Sequence, residues 1–269
     1  MSSPSSAALL LRGEPFRLGC DAAAAAQQLG ILASYVTQLL EPLRSNGTSV
    51  AVLLAPSHHP ALPKCRTELW PRLSEPFGGN VTLRAITAHN QGEALQHAFR
   101  AFAAELSQAA VSVLARFDVP LLRPSTRWTC SLAGDRLAFS SQCAACCGEW
   151  ESFRCVGDLI HIVPRRLLDA FVGILGGASN RTGDVSGHLG CFQPSSKYRS
   201  GHDCFNVWAR FHPDEPVQFC APPPPCETED SMYFRIVRGT GPLAFDRDRP
   251  GEVVASRRAQ SKSACPGRV

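Results

Sequence analysis

The first 118 residues alternate short apolar runs with longer segments of helical periodicity, and this alternation constrains the fold more than any other feature. The runs Ala7–Leu11 and Val50–Ala55 are continuously apolar, and Val111–Ala115 is apolar apart from Ser112. Short runs of this kind are typical of buried strands. Apolar residues at three- and four-residue steps predict helices over about 22–43 and 90–106. Strands that alternate with helices imply a mainly parallel sheet with right-handed crossovers. The expected fold is α/β and Rossmann-like, with helices on both faces of the sheet.

Further elements are predicted from shorter signals. Strands are expected at Val81–Ile86, Leu137–Ser140 and Leu159–Val163. Pro164 suits the first turn of a helix that follows. The segment Ser57–Gly79 holds four prolines and predicts a loop.

The composition indicates one folded domain with irregular ends. We expect a disordered N-terminus over 1–6, an α/β domain over 7–215, a proline-rich extension over 216–238 and a disordered basic tail over 239–269. The C-terminal part of the predicted domain is expected to be irregular, because it is rich in glycine, serine and aromatic residues.

Positive charge is concentrated at the C-terminus. From Arg235 onward, eight Lys or Arg outnumber three Asp or Glu, so the rest of the chain has a net charge of −1 out of the total of +4. A nearly neutral body argues against a nucleic-acid-binding face.

Two sets of features disagree about the cellular compartment. Twelve cysteines and three glycosylation sequons, at Asn46-Gly-Thr48, Asn80-Val-Thr82 and Asn180-Arg-Thr182, favour a secretory lumen such as the Golgi. The N-terminal apolar run Ala7–Leu11 is too short for a signal peptide, and no run of about 18 apolar residues predicts a transmembrane helix. The sequence leaves the compartment open.

Polar side chains lie at the carboxyl ends of two of the predicted strands. Parallel sheets bind their ligands at the carboxyl ends of the strands. Arg12 and Arg17 are candidates for pairing with a phosphate, or alternatively for ion pairing with Glu14. Asp118 follows the strand at Val111–Ala115 and is a candidate metal ligand. Its alternative is a turn residue.

Three more residues are candidates for the site, each with an ordinary structural alternative. Arg116 could contact substrate or pair with a nearby carboxylate. Asp158 precedes the strand at Leu159–Val163 and could act as the catalytic base on an acceptor hydroxyl, or merely cap a turn. His188 lies in a glycine-rich segment and is either a further metal ligand or an exposed histidine.

The cysteines Cys143, Cys146, Cys147 and Cys155 have spacing similar to that of a zinc site. No second matched pair is obvious, so disulfides or free thiols are favoured over zinc. Other cysteines could supply either ligands or disulfide partners, namely Cys191, Cys204, Cys220 and Cys226. A zinc-stabilised module remains an alternative.

The opening Leu9-Leu-Leu-Arg-Gly-Glu-Pro-Phe-Arg17 resembles that of a loosely defined group of algal and fungal proteins that look like GT-A-fold glycosyltransferases. A later strand in that group ends in a step similar to Arg116-Phe-Asp118, and Gly157-Asp158 precedes a strand and a proline-led helix. The resemblance covers roughly residues 7 to 190.

The resemblance implies a nucleotide-sugar donor, an unknown glycan or protein acceptor, and a divalent metal, Mn or Mg. It gives a donor-loop role to Arg12 and Gly13, a metal-linked role to Asp118 and an acceptor-side role to Asp158. In one respect the chain departs from the pattern, because Arg116 stands where the usual Asp-x-Asp motif has its first carboxylate. A glycosyltransferase is therefore the leading hypothesis, and an inactive binding or scaffold protein on the same fold is the alternative.

Overall fold

The computed structural model describes residues 5–58, 63–88, 91–132, 136–140, 159–176, 217–221, 244–245 and 253–254. The strands are β1 (Ser6–Gly13), β2 (Ser49–His58), β3 (Thr82–Leu83), β4 (Ile86–Thr87), β5 (Val111–Arg116), β6 (Ala138–Phe139), β7 (Ile160–Pro164), β8 (Gln218–Phe219), β9 (Ala244–Phe245) and β10 (Val253–Val254). The α-helices are α1 (Ala22–Tyr35), α2 (Glu41–Ser45), α3 (Lys64–Glu68), α4 (Gln91–Ala101), α5 (Ala103–Gln108) and α6 (Leu168–Gly176). In these ranges, none of the helices is both long and apolar enough to cross a membrane.

A mixed, mostly parallel sheet forms the centre of the described part. Its order is β3-β2-β1-β5-β7-β6-β8, and β4 also pairs with β2. β1 is parallel to both β2 and β5, whereas β7 is antiparallel to β5 and β6. β9 and β10 form a separate antiparallel pair. The predicted α/β fold with a mainly parallel sheet is therefore confirmed.

Helices cover both faces of this sheet. On one face, alternate residues of β1 pack with Ile31, Leu32 and Tyr35 of α1. On the other face, the remaining β1 residues pack with α4 and α6, where Phe99 and Phe171 lie 5.9 Å apart between ring centroids. Side chains on successive strand residues point to opposite faces, so a strand with two covered faces must be apolar throughout. This is why Ala7–Leu11, the central part of β1, is a continuous apolar run.

The helix predicted over 22–43 is continuous but changes its winding. Asp21 caps α1, because its carboxylate accepts a hydrogen bond from the Ala24 amide at 2.8 Å. A π-helical turn at Val36–Leu40 then connects α1 to α2. Pro42 lies just beyond this turn and has no amide to donate to the preceding turn, so regular winding is interrupted there.

The second strand and the segment after it differ from the sequence expectations. β2 continues through Pro56 to His58 instead of ending at residue 55. Pro56 is tolerated for two reasons. On one side it lies opposite Gly13, where β1 ends. On the other side it lies between the β2 residues that pair with β3 and those that pair with β4, so it is paired with neither strand. The predicted loop Ser57–Gly79 contains α3 and a 3₁₀ helix at Trp70–Phe77, both started by prolines.

Two later elements also differ from prediction. The strand expected at Val81–Ile86 is split into β3 and β4, with the Arg84 amide donating to the Leu54 carbonyl between them at 2.9 Å. Pro164 closes β7 rather than opening a helical turn, and a 3₁₀ turn at Arg165–Leu167 precedes α6.

The sheet continues past residue 215, where the sequence placed the end of the domain. β8 pairs with β6, and the adjacent Cys220 forms a disulfide with Cys130. Cys220 was among the cysteines considered as disulfide partners. The four cysteines of the proposed zinc module lie outside the described residues, as do most residues of the two terminal segments expected to be disordered.

Candidate functional site

The switch point of the sheet lies between β1 and β5. The chain passes from β1 to β2 on one side and later adds β5 on the other side of β1. Open α/β sheets bind ligands outside the carboxyl ends of their strands at such a point. Arg12 is the next-to-last residue of β1 and Arg116 is the last residue of β5. The two arginines lie opposite each other in the register, and both are buried. The structure thus brings Arg12 and the nearby Asp118 to the same edge.

Asp118 is held by two arginines. Arg116 Nε donates to Oδ1 at 2.8 Å and Arg116 Nη2 donates to Oδ2 at 2.6 Å. Arg17 Nη1 donates to Oδ2 at 3.0 Å. Arg116 and Asp118 have side chains 8% and 9% exposed, whereas that of Arg17 is 47% exposed. We call these three residues the arginine–aspartate cluster.

The cluster keeps Asp118 ionised. Burial alone would raise the pKa of the Asp118 carboxyl, but the hydrogen bonds and charge of Arg116, followed by those of Arg17, hold that pKa below its usual value. Asp118 is therefore a permanent anion at neutral pH, and its charge orients two guanidinium groups.

The loop after β1 has a backbone shape that places Arg17 beside Asp118. Gly13 has a φ of 101°, which favours glycine, and Phe16 has a φ of 55° although it is not glycine. The Phe16 amide donates to Gln28 Oε1 at 2.9 Å, and Gln28 Nε2 donates to the Phe117 carbonyl at 2.7 Å. Gln28 therefore joins the loop after β1 to the loop after β5, and these buried bonds offset the strain at Phe16.

Two further side chains of α1 fix the loop after β5. The Tyr35 hydroxyl lies 3.2 Å from the Arg116 carbonyl and 2.7 Å from the Val119 carbonyl, and it donates to them. The Ser34 hydroxyl accepts from the Leu121 amide at 2.9 Å. Burial, followed by the charge of Asp118, raises the pKa of the Tyr35 hydroxyl well above its ordinary value. Tyr35 is therefore a fixed donor.

The loop carrying Arg17 is also connected to α3. Arg66 forms an ion pair with Glu14, and Arg66 Nη2 donates to the Arg17 carbonyl at 3.3 Å. A disulfide joins Cys20 to Cys65 next to these contacts. The weak ion pair from Arg17 to Glu14, at 3.8 Å, matches one alternative considered for the first loop.

A small depression lies beside the cluster, between the loop after β1 and α1. It is lined by Phe16, Arg17, Leu18, Ala24, Gln28, Ile31 and Asp118. The Arg17 side chain, which lines this depression, is accessible to solvent.

The described residues do not fit a divalent metal at Asp118. Both carboxylate oxygens already accept hydrogen bonds from guanidinium groups, whose positive charge repels a cation. The described ranges contain no group of three or more His, Cys, Asp or Glu side chains arranged to hold a metal. Asp158 and His188 lie outside the described residues. β7, which follows Asp158 in sequence, begins opposite the carboxyl end of β5.

Three residues around the site, Gln28, Tyr35 and Arg66, were not predicted from the sequence. A signal was available for the first two, because Gln28 lies four and seven residues before Leu32 and Tyr35, on the buried stripe of α1. A polar residue on an apolar stripe indicates a buried hydrogen bond. Arg66 gave no such signal, since its contacts with Glu14 and Arg17 depend on tertiary structure.

No protein-family model matches the sequence, and no curated protein shows significant similarity to it. Solved structures do match. The chain is similar to a 4-diphosphocytidyl-2C-methyl-D-erythritol synthase from Anaerococcus prevotii, with 11% identity, a TM-score of 0.47, and coverage of 83% of this chain and 90% of that one. It is also similar to the glycosyltransferase GlyE of Streptococcus pneumoniae, with 8% identity and a TM-score of 0.40. That match covers 81% of this chain and 45% of GlyE.

Proposed function

We propose that this chain is a GT-A-like glycosyltransferase domain that binds a nucleotide sugar over the carboxyl ends of β1 and β5. The observation that carries the proposal is Arg17, an accessible arginine held by a buried carboxylate at the switch point of the sheet. The sequence resemblance to GT-A glycosyltransferases supplies the choice of donor.

Arg17 suits the diphosphate of such a donor. A guanidinium presents several N–H donors in a planar fork that matches phosphate oxygens. Asp118 accepts one bond from Arg17 and fixes the group before a ligand arrives, which reduces the conformational entropy lost on binding. Arg17 would bind the diphosphate and stabilise the charge that develops on the leaving group.

Asp118 acts in this proposal through Arg17 and Arg116 and not as a metal ligand. Because the residues around Asp118 do not fit a divalent ion, no step is assigned to one. Asp158 remains the proposed acceptor base, since it precedes a strand that begins at the same sheet edge. The acceptor is a glycan or protein hydroxyl.

A second candidate function is a binding or scaffold domain without transfer activity. The observation that favours it is that both carboxylate oxygens of Asp118 already accept hydrogen bonds from arginines, so that Asp118 is not open to a metal ion. A domain of this kind would bind the nucleotide sugar and release it unchanged.

The test is thermal unfolding with UDP, GDP and their sugar conjugates, each with manganese and with a chelator. A ligand that binds the native state raises the melting temperature once its concentration exceeds the dissociation constant. Arg17→Gln should abolish the rise. The matched control is Arg72→Gln, because Arg72 is similarly exposed, at 43%, and pairs with Glu75 away from the site.

Each outcome has a defined meaning. A rise that is independent of manganese and is lost only in Arg17→Gln supports the proposal. A rise that requires manganese contradicts the arginine-based diphosphate site. No rise with any nucleotide contradicts donor binding altogether. If the donor binds, hydrolysis or transfer of its sugar separates the enzyme from the scaffold.

A further inference from the structure

One glycosylation sequon lies at an exposed turn beside the edge of the sheet. Gly78 and Gly79, with φ of 68° and 78°, follow the 3₁₀ helix at Trp70–Phe77 and end it in the left-handed region. Asn80 follows and is exposed. Thr82, the hydroxyl residue of the sequon, is also exposed and begins β3. A glycan on Asn80 would extend into solvent without displacing any part of the core.

The surroundings of Asn80 differ from those of the sequon at Asn46. Asn46 is exposed as well, but its amide donates to the Leu43 carbonyl at the end of α2. The hydroxyl residue of that sequon, Thr48, is only 3% exposed. Of the two sequons within the described residues, the one at Asn80 has both its asparagine and its threonine on the surface.

Disulfides indicate the compartment where such a modification occurs. The structure joins Cys20 to Cys65 and Cys130 to Cys220. Disulfides of this structural kind persist in secretory and extracellular compartments, while reducing cytosol keeps thiols free. Asparagine-linked glycans are added in the same oxidising pathway. The exposed sequon and the two disulfides are therefore two independent features that both indicate the oxidising secretory pathway.

We propose that Asn80 carries an N-linked glycan. The co-reactant is an oligosaccharide bound to a lipid diphosphate. Asn80 Nδ2 forms a bond to the anomeric carbon of the first sugar, and the bond from that carbon to the diphosphate oxygen breaks. The lipid diphosphate leaves with the bonding electron pair, and Nδ2 loses one proton to a base of the transferring enzyme.

The glycan would also protect the sheet edge. β3 pairs with β2 on one side and ends the described sheet on the other. Leu83 is 37% exposed and is the large apolar side chain that stands out on the described surface. Exposed edge strands promote intermolecular pairing, and proteins commonly cover them. A hydrophilic chain three residues from Leu83 would hinder such pairing.

The first experiment is peptide mapping of the full chain purified from its own cells with thiols blocked. Treatment with a peptide N-glycosidase converts a glycosylated asparagine to aspartate, which mass spectrometry detects. Aspartate at this position after treatment, together with an intact Cys20–Cys65 bridge, is the expected result. An unmodified Asn80 peptide overturns the proposal, whether the two cysteines are bridged or free.

Variants assign the site when the full chain is secreted from a eukaryotic host behind a cleavable signal. Asn80→Gln and Thr82→Ala should each lose one glycan, seen as increased gel mobility. Thr82→Ser keeps the sequon and should keep that glycan, and Asn46→Gln should leave the glycan on Asn80 in place. Equal mobility of wild type and Asn80→Gln contradicts the proposal. These readouts do not depend on nucleotide binding.

Discussion

Arg17 donates a hydrogen bond to Asp118 at 3.0 Å across 101 residues of sequence. This contact joins the loop after β1 to the loop after β5, on either side of the switch point of the sheet. It also gives an exposed arginine a fixed position beside a buried anion. The consequences concern stability, pH dependence and ligand binding, and each can be measured.

Asp118→Asn should lower the free energy of unfolding at pH 7 by about 3 kcal/mol, because it leaves the buried Arg116 without its charge partner. The pKa of the Asp118 carboxyl is lower in the folded protein, so this stabilisation is present above the unfolded pKa of about 4 and is lost as pH falls through the folded value. Urea unfolding at pH 7 and pH 3 measures both effects. A deficit of equal size at the two pH values would contradict the charge-based explanation.

The control for this substitution is Asp169→Asn, an exposed aspartate in the first turn of α6. It should change the unfolding free energy by no more than about 0.5 kcal/mol at either pH.

Gln28→Ala should destabilise the protein by about 2 kcal/mol, because the Phe16 amide and the Phe117 carbonyl both lose buried partners. Chemical denaturation measures the loss. Gln108→Ala is the control, since Gln108 is exposed at the end of α5 and should be nearly neutral. If the two variants were equally stable, Gln28 would not hold the two loops together.

Tyr35→Phe should cost about 1 kcal/mol at neutral pH through loss of the hydrogen bonds to the Arg116 and Val119 carbonyls. The folded pKa of Tyr35 is raised, so the wild type should lose stability as pH rises above about 10, the unfolded pKa of tyrosine. The variant lacks this ionisation. The stability difference should therefore shrink between pH 8 and pH 11, and a constant difference would contradict this prediction.

Replacing Cys20 and Cys65 with serine should reduce the unfolding free energy by about 3 kcal/mol, because the bridge closes a loop with a sequence separation of 45. It should also weaken any stabilisation by nucleotide, since the bridge adjoins the loop that carries Arg17. The corresponding change at Cys130 and Cys220 is the control: it should cost stability without lowering the relative response to nucleotide. If nucleotide stabilised both double variants equally, the Cys20–Cys65 bridge would have no specific role in nucleotide binding.

The sequence by itself determined the strand–helix alternation and the placement of Arg12 and Asp118 at one edge. These features depend on local periodicity, since a strand covered on both faces must be apolar along its length, and parallel strands bring their carboxyl ends together. The strand boundaries at Pro56 and within Val81–Ile86 were less predictable. Whether a strand tolerates a proline or a break depends on the strands that pair with it on each side, and the sequence does not show that pairing.

Tertiary structure alone decided the state of Asp118. From the pattern, its carboxylate could bind a metal, cap a turn or pair with an arginine, and each is locally compatible with Arg116-Phe-Asp118. In the folded protein, the side chains of Arg116 and Arg17 both donate hydrogen bonds to the Asp118 carboxylate, which therefore lies at the centre of an ion-pair network. Gln28 and Tyr35 make that arrangement possible from a helix about 90 and 80 residues earlier. Such contacts depend on chain crossings that no local pattern encodes, and therefore only the folded chain fixes them.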